Sequence, residues 1–307
     1  MDLTGSKSSD KLSNQGRSNP QPDRLVIDAE KQPLAGKFGA SMSPHPSSFS
    51  PLLYAGRLDE GLEALSSLGF AAVEVSLRQA DEVDIQWLET RLAHLGLVIS
   101  AIASGRTCLE GSLCLTDTNP IARQQVFERL VAFIQLASHF NAPVIIGGVR
   151  GKLSGDAQQK SAQYDSAVET LHRCAAIADV MGVPLLIEPI NRYETNFVNT
   201  ANEGMKLIEV LGHASLKLLL DTFHMNIEEA DPCSTIHAAS QYLGYVHFAD
   251  SNRCAPGWGH IDFPQILLAL TDVGYHGFIT AEILPVPDDA QALRQAGEYL
   301  QSLMVHK

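Results

Sequence analysis

No apolar run in this 307-residue sequence approaches the length of a helix that crosses a bilayer, and the N-terminus carries no apolar signal segment. A membrane protein is therefore not expected. Cations are scarce: 22 Lys plus Arg face 35 Asp plus Glu, a formal charge of -13. That balance excludes broad contact with a nucleic-acid backbone, which needs clustered Lys and Arg. Cysteine is sparse too. Cys108, Cys114, Cys174, Cys233 and Cys254 are scattered, odd in number and without C-x-x-C spacing. They fit a reducing cytoplasm better than a disulfide scaffold. No G-x-G-x-x-G follows the first strand-like run, and G-x-x-x-x-G-K-[ST] occurs nowhere. Both nucleotide-binding fingerprints are thus missing.

What the chain does have is a core, with 45% apolar residues, and a rhythm. Residues 1–33 are rich in Ser, Asn, Asp, Lys, Gln and Pro and read as a disordered or loosely held extension. From residue 34 to residue 307 short apolar runs alternate with stretches of helical spacing. The runs are Lys37–Met42, Ala71–Leu77, Leu97–Ser104, Pro143–Val149, Leu185–Ile187, Leu216–Leu220, Tyr245–Ala249 and Phe278–Ile283. Helical spacing follows at Leu58–Leu68, Asp84–Leu95, about Pro120–His139, about Ser161–Met181, Ala201–Leu211, from about Pro232, from Pro264, and over Asp289–Met304. Asn-Ala-Pro and Gly-Val-Pro precede the fourth and fifth runs as helix stops. Eight such units predict parallel strands joined by crossover helices, and their number and length fit a single-domain (β/α)8 barrel. A doubly wound open sheet is the structural alternative.

In such barrels reactive groups lie at the C-terminal ends of the strands. The last four runs each end in a metal-competent side chain: Glu188 after LLI, Asp221 after LLL, His247 after YV, and Glu282 after ITA. Each has an ordinary explanation alone. Glu188 reads as a cap or an ion-pair partner, Asp221 as the N-cap of a helix, and His247 as a core histidine. Glu282 lies in an apolar strand, where an unpaired carboxylate is costly. Four such residues on consecutive strands change the reading. Two Glu, one Asp and one His form a hard, oxygen-rich set that suits Mn²⁺ or Mg²⁺, and Co²⁺ or Zn²⁺ less well. Arg150, in GGVRGK after the fourth run, either holds a substrate carboxylate or pairs with a local acid. Trp258 and the SPHPSSFSP loop either cover a ligand or pack on the barrel rim.

The segments IEPINRYET, LLLDTFHMNIEEAD, HFADSNRCAPGWGHIDF and AEILP resemble the xylose-isomerase-like sugar isomerase/epimerase family. Within it they are similar to the ketose 3-epimerases of the D-tagatose and D-psicose group. The wording around NRYET, DTFHMNIEE, ADSNR-x-APG and VIIG-x-VRG is nearer the 5-keto-L-gluconate epimerase branch. The resemblance runs from about Lys37 to the C-terminus. It implies that Glu188, Asp221, His247 and Glu282 are the metal ligands, with Glu188 and Glu282 also the acid/base pair. It implies that Glu194, His224 and Arg253 bind substrate.

The implied activity is metal-dependent epimerisation of a ketose or keto sugar acid, by proton removal next to the ketone and a metal-stabilised enediolate. Inosose dehydratase chemistry, cleavage of oxidised C-glycosides and non-catalytic sugar binding are the alternatives. A DNA-repair endonuclease on this barrel would need more histidines and a basic face. The expected protein is a cytoplasmic homodimer or homotetramer acting on a small sugar.

Overall fold

The apolar runs form strands because both of their faces are covered. β1 (Phe38–Met42), β2 (Ala72–Ser76), β4 (Val144–Ile146), β5 (Leu185–Ile187) and β8 (Ile279–Ala281) are buried at every position. β3 (Val98–Ala103), β6 (Leu216–Asp221) and β7 (Leu243–Phe248) admit solvent only within their first two residues. The computed structural model describes residues 34, 36–48 and 51–304. The extension expected over residues 1–33 lies outside the described residues. All eight strands pair in parallel in chain order, and β8 pairs back onto β1. The sheet closes into the expected (β/α)8 barrel.

Between and after the strands run α1 (Leu58–Ser67), α2 (Ile85–Leu95), α3 (Arg106–Leu109), α4 (Pro120–Phe140), α5 (Ala157–Met181), α6 (Ala201–Leu211), α7 (Thr222–Glu228), α8 (Pro232–Ala238), α9 (Phe263–Asp272) and α10 (Asp289–Met304). The stops before β4 and β5 work as expected. Asn141 and Gly182 both take left-handed φ, 51° and 67°, and end α4 and α5. α5 starts at Ala157, earlier than Ser161, because Asp156 and Gln159 form a reciprocal capping box. The fourth strand stops at Ile146, where Gly148–Arg150 coils into a 3-10 turn. α3 was not anticipated, and α7 only through the reading of Asp221 as an N-cap. Both are single short segments in loops that read as irregular.

Two one-residue irregularities set which side chains face inward. Between β2 and β3 the register steps from Val73↔Ile99 to Glu74↔Ala101, leaving Ser100 as the extra residue. Between β6 and β7 it steps from Leu218↔Leu243 to Leu219↔Tyr245, leaving Gly244. Beyond the second step Tyr245 lies opposite Leu219, and His247 opposite Asp221. Strand side chains alternate with period two, so Tyr245 and His247 share the barrel interior while Val246 and Phe248 pack outward. Ala101, Ala103, Ile145, Leu186, Leu219 and Tyr245 form an interior apolar cluster separate from the core under the helices. The Tyr245 hydroxyl joins Ser100 and Thr280 at 2.7 and 2.5 Å, so this layer keeps its polar groups satisfied.

A Cβ at Gly244 would stand 2.7 Å from Lys217 Cβ and 3.1 Å from Leu186 Cδ2. We expect Gly244→Ala to destabilise the barrel by about 1–3 kcal/mol, as overpacking does. Urea unfolding followed by circular dichroism measures this; an unchanged midpoint would refute the role assigned to Gly244.

Candidate active site

β5 to β8 deliver Glu188, Asp221, His247 and Glu282 to one point at the C-terminal mouth of the barrel. All four are buried, and one ligand atom from each lies within 4.8 Å of the others. His247 is at the centre. Its Nδ1 stands 3.5 Å from Glu188 Oε1, 3.5 Å from Asp221 Oδ2 and 3.6 Å from Glu282 Oε2. That nitrogen is buried and makes no hydrogen bond among the described residues. The two readings of Asp221 prove compatible. Its Oδ1 caps α7 by accepting from Phe223 N at 2.8 Å, which leaves Oδ2 for the cluster.

The residues around this point polarise it unequally. Burial opposes ionisation of Glu188, but His247 and His224 outweigh it and hold the carboxyl below its ordinary range. Asp221 is also buried, and Arg253 above all keeps it well below its usual range. Burial, together with Glu188 and Asp221, pushes Glu282 up to about 8 against the pull of Arg253 and His247. His247 is raised well above an ordinary imidazole: burial disfavours its charge, but Glu74 and Glu282 prevail. Acidic charge therefore exceeds basic charge in a desolvated pocket. The unpartnered Nδ1 and the three carboxylates facing it fit a hard divalent cation.

Arg253, His224 and Glu194 line the same cavity, of about 680 Å³. Arg253 Nη1 donates to Asp221 Oδ2 at 2.8 Å, Nη2 donates to Glu282 Oε2, and the guanidinium stacks 4.8 Å from the Phe223 ring centre. Its backbone takes φ 63°, a left-handed conformation unusual for a side-chain-bearing residue. Asp250 imposes that turn. It is fully buried, accepts from Gly257 N and Ile261 N, and its carbonyl accepts from Arg253 N. Asn191 organises the other side: its amide Nδ2 donates to Glu194 Oε1 at 2.7 Å and to His224 Nδ1 at 2.9 Å. Since burial also lowers His224, the ring is neutral with its proton on Nε2. Asn191 was read only as part of the NRYET segment; its two hydrogen bonds give it a function. Glu74 was not singled out either, yet its Oε2 lies 2.7 Å from His247 Nε2.

Arg150 does not reach the cavity. It is 1% exposed, and its guanidinium donates to the backbone carbonyls of Ile146, Phe197 and Val198. Burial pushes it down to about 10, with Glu188 opposing. No acid forms an ion pair with it among the described residues; it ties the loop after β5 to the end of β4. The expectation of unbridged cysteines also fails. Residues 106–114 double back, bringing Cys108 and Cys114 to a Cα separation of 4.7 Å in a disulfide that lines the cavity. Ser48 and Pro51 of the Ser/Pro-rich loop line the cavity, whereas Trp258 stands outside the lining and is 39% exposed. Among the described residues no helix is long and apolar enough to cross a membrane.

A closed parallel barrel with titratable groups gathered at its C-terminal mouth belongs to the TIM-barrel enzymes. More narrowly, the chain belongs to the xylose isomerase-like TIM barrel family, whose profile matches residues 62–303. An L-ribulose 3-epimerase from Mesorhizobium japonicum is 36% identical over 220 residues, 71% of this chain and 72% of the relative. A 3-dehydro-D-guloside 4-epimerase from Escherichia coli is 30% identical over 135 residues, 44% of this chain and 52% of the relative. A solved L-ribulose 3-epimerase structure aligns with a TM-score of 0.71 at 28% identity, covering 86% of this chain and 94% of that one. The family resemblance read from the motifs therefore holds, and the relatives are carbohydrate epimerases.

The cavity's front wall depends on Glu110. Its Oε1 accepts from Ser47 Oγ and Ser48 N, and its Oε2 accepts from Arg106, which also donates to Pro46 O and Ser43 Oγ. Partial burial raises the carboxyl, but the bonds from Ser47, Arg106 and Ser48 bring it from 4.5 down to about 2. A depressed pKa stabilises the fold above the unfolded value and loses that contribution as pH falls through the folded one. We therefore expect Glu110→Gln to flatten the decline of unfolding free energy between pH 4.5 and 2. Parallel wild-type and variant curves in urea titrations across that range would contradict this.

Proposed function

We propose that this protein is a divalent-metal-dependent epimerase of a ketose or keto sugar acid. The observation that carries the reading is the meeting of Glu188, Asp221, Glu282 and the unpartnered Nδ1 of His247 within 4.8 Å at the mouth of the barrel. The named relatives support the reaction type, since both a 3-epimerase and a 4-epimerase of a 3-dehydro sugar invert a carbon beside a ketone. These four side chains would hold the cation. When bound, Mn²⁺ or Mg²⁺ supplies a Lewis acid for neighbouring oxygens of the sugar.

The remaining work falls to the protein. Glu188 and Glu282 come from β5 and β8, the outer two of the four contributing strands, and both line the cavity. One removes the proton from the carbon beside the ketone, and the other returns a proton to the opposite face. Their roles exchange with the direction of reaction. Arg253 and the Nε2–H of His224 meet the oxygen on which negative charge develops, and Glu194 accepts from a sugar hydroxyl. Asn191 and Asp250 keep these groups in place before substrate arrives, which limits the ordering needed at reaction. Apolar Ile190, Phe223 and Leu284 share the lining and reduce the water around the transferred proton.

In D₂O with Mn²⁺, NMR should show deuterium entering one carbon beside the ketone of a ketose or keto sugar acid, with formation of an epimer. Glu188→Gln and Glu282→Gln should each slow exchange by about 10²–10⁴-fold. Chelation should stop it in the wild type, and added Mn²⁺ should restore it. A product lighter by one water, or two product molecules, would replace this reading with dehydration or cleavage.

A further inference from the structure

Glu74 is a carboxylate that touches the cluster without standing at the end of β5 to β8. It lies in the middle of β2, fully buried, and reaches His247 Nε2 at 2.7 Å. Its second oxygen, Oε1, is buried without a hydrogen-bond partner among the described residues. A carboxylate in that position is expensive for the fold, because a desolvated oxygen without a donor loses its hydration and gains nothing. Packing alone would be served as well by an apolar side chain of similar size. The same ring has its other nitrogen, Nδ1, unpartnered and facing Glu188, Asp221 and Glu282 at 3.5–3.6 Å. One nitrogen is therefore bound by a carboxylate with no other hydrogen bond among the described residues, and the other is aimed at the three acids.

We propose that Glu74 is the positioning residue of the metal centre. By accepting the Nε2–H of His247 it fixes the ring's rotation and tautomer and leaves the Nδ1 lone pair directed into the cluster. The placement of Glu74 supports this over a general structural role. Period two along β2 turns Glu74 into the barrel, while Val73 and Val75 belong to the core under the helices. Among the described residues Glu74 thus makes one side-chain hydrogen bond from an interior position, to His247. This inference rests on the metal-dependent reading above.

The test is Mn²⁺ titration calorimetry on metal-free wild type, Glu74→Gln and Glu74→Leu, with thermal melts of each metal-free protein. Carboxylate partners of ligating histidines are commonly worth about 10- to 100-fold in metal affinity. Glu74→Gln keeps an acceptor oxygen but loses the charge, so its affinity should fall by about tenfold. Glu74→Leu loses both and should fall by about 100-fold. Glu74→Gln keeps an acceptor for the Nε2–H and should leave the metal-free melting temperature near that of the wild type, whereas Glu74→Leu strands that buried donor and should lower it. Imidazole ¹⁵N NMR of the Mg²⁺-loaded proteins should show His247 protonated on Nε2 in the wild type and Gln variant, and mixed tautomers in the Leu variant. Unchanged Mn²⁺ affinity with lowered melting temperatures would make Glu74 structural and overturn the proposal. Should the Leu variant not fold, the Gln variant alone decides between these outcomes. Wild-type protein that binds no Mn²⁺ would instead overturn the metal reading itself.

Discussion

Taking a carboxylate out of water costs several kcal/mol unless a cation or well-placed donors replace its hydration. This barrel buries four of them, Glu74, Glu188, Asp221 and Glu282, around one imidazole. Arg253 answers part of the charge by donating to Asp221 and Glu282, and the N-terminal amides of α7 satisfy one oxygen of Asp221. The surplus remains, and it raises His247 far above an ordinary histidine. A protein does not gain stability from such an arrangement; residues of similar volume and no charge would cost less. The site is intelligible as a place prepared for positive charge, and much of the surrounding structure serves to hold it together.

The barrel makes that concentration of charge possible. Adjacent parallel strands end at the same rim, so one side chain at the C-terminal end of each of β5 to β8 falls on a small circle. The extra residue Gly244 brings Tyr245 and His247 into the interior, opposite Leu219 and Asp221. Below the charged layer, hydroxyls of Tyr245, Ser100 and Thr280 bond to one another. Above it, loops held by Asp250, Asn191 and Arg150 set the cavity's walls. Left-handed backbone at side-chain-bearing residues occurs in this region's loops at Arg253 and Val198, and elsewhere at Tyr54, Ser112 and Asn141.

The four strand-end residues were legible in the sequence because each interrupts an apolar run, and the repeat of that interruption on four consecutive units is a strong pattern. The fold was legible for the same reason: eight buried strands must read as eight apolar runs. Glu74 was not, because AVEVS has the look of an ordinary alternating strand and only the closed barrel carries it across to His247. Arg150 misled, since sequence shows which loop an arginine occupies but not that three carbonyls already take up its guanidinium. The Cys108–Cys114 pairing was hidden by α3, whose single turn folds a spacing with no recognised motif back on itself. The extent of α7 was not legible because Asp221 reads as either a cap or a ligand, whereas its two oxygens separate: one caps α7 and the other faces His247.

In the proposed metal centre one divalent cation belongs between Glu188, Asp221, His247 and Glu282. Anomalous diffraction from crystals grown with Mn²⁺, recorded on both sides of the manganese absorption edge, tests it without reference to any substrate. A single strong peak is expected within coordination distance of His247 Nδ1 and of an oxygen from each of the three carboxylates. No peak there, with manganese bound only at surface carboxylates or histidines, would contradict it.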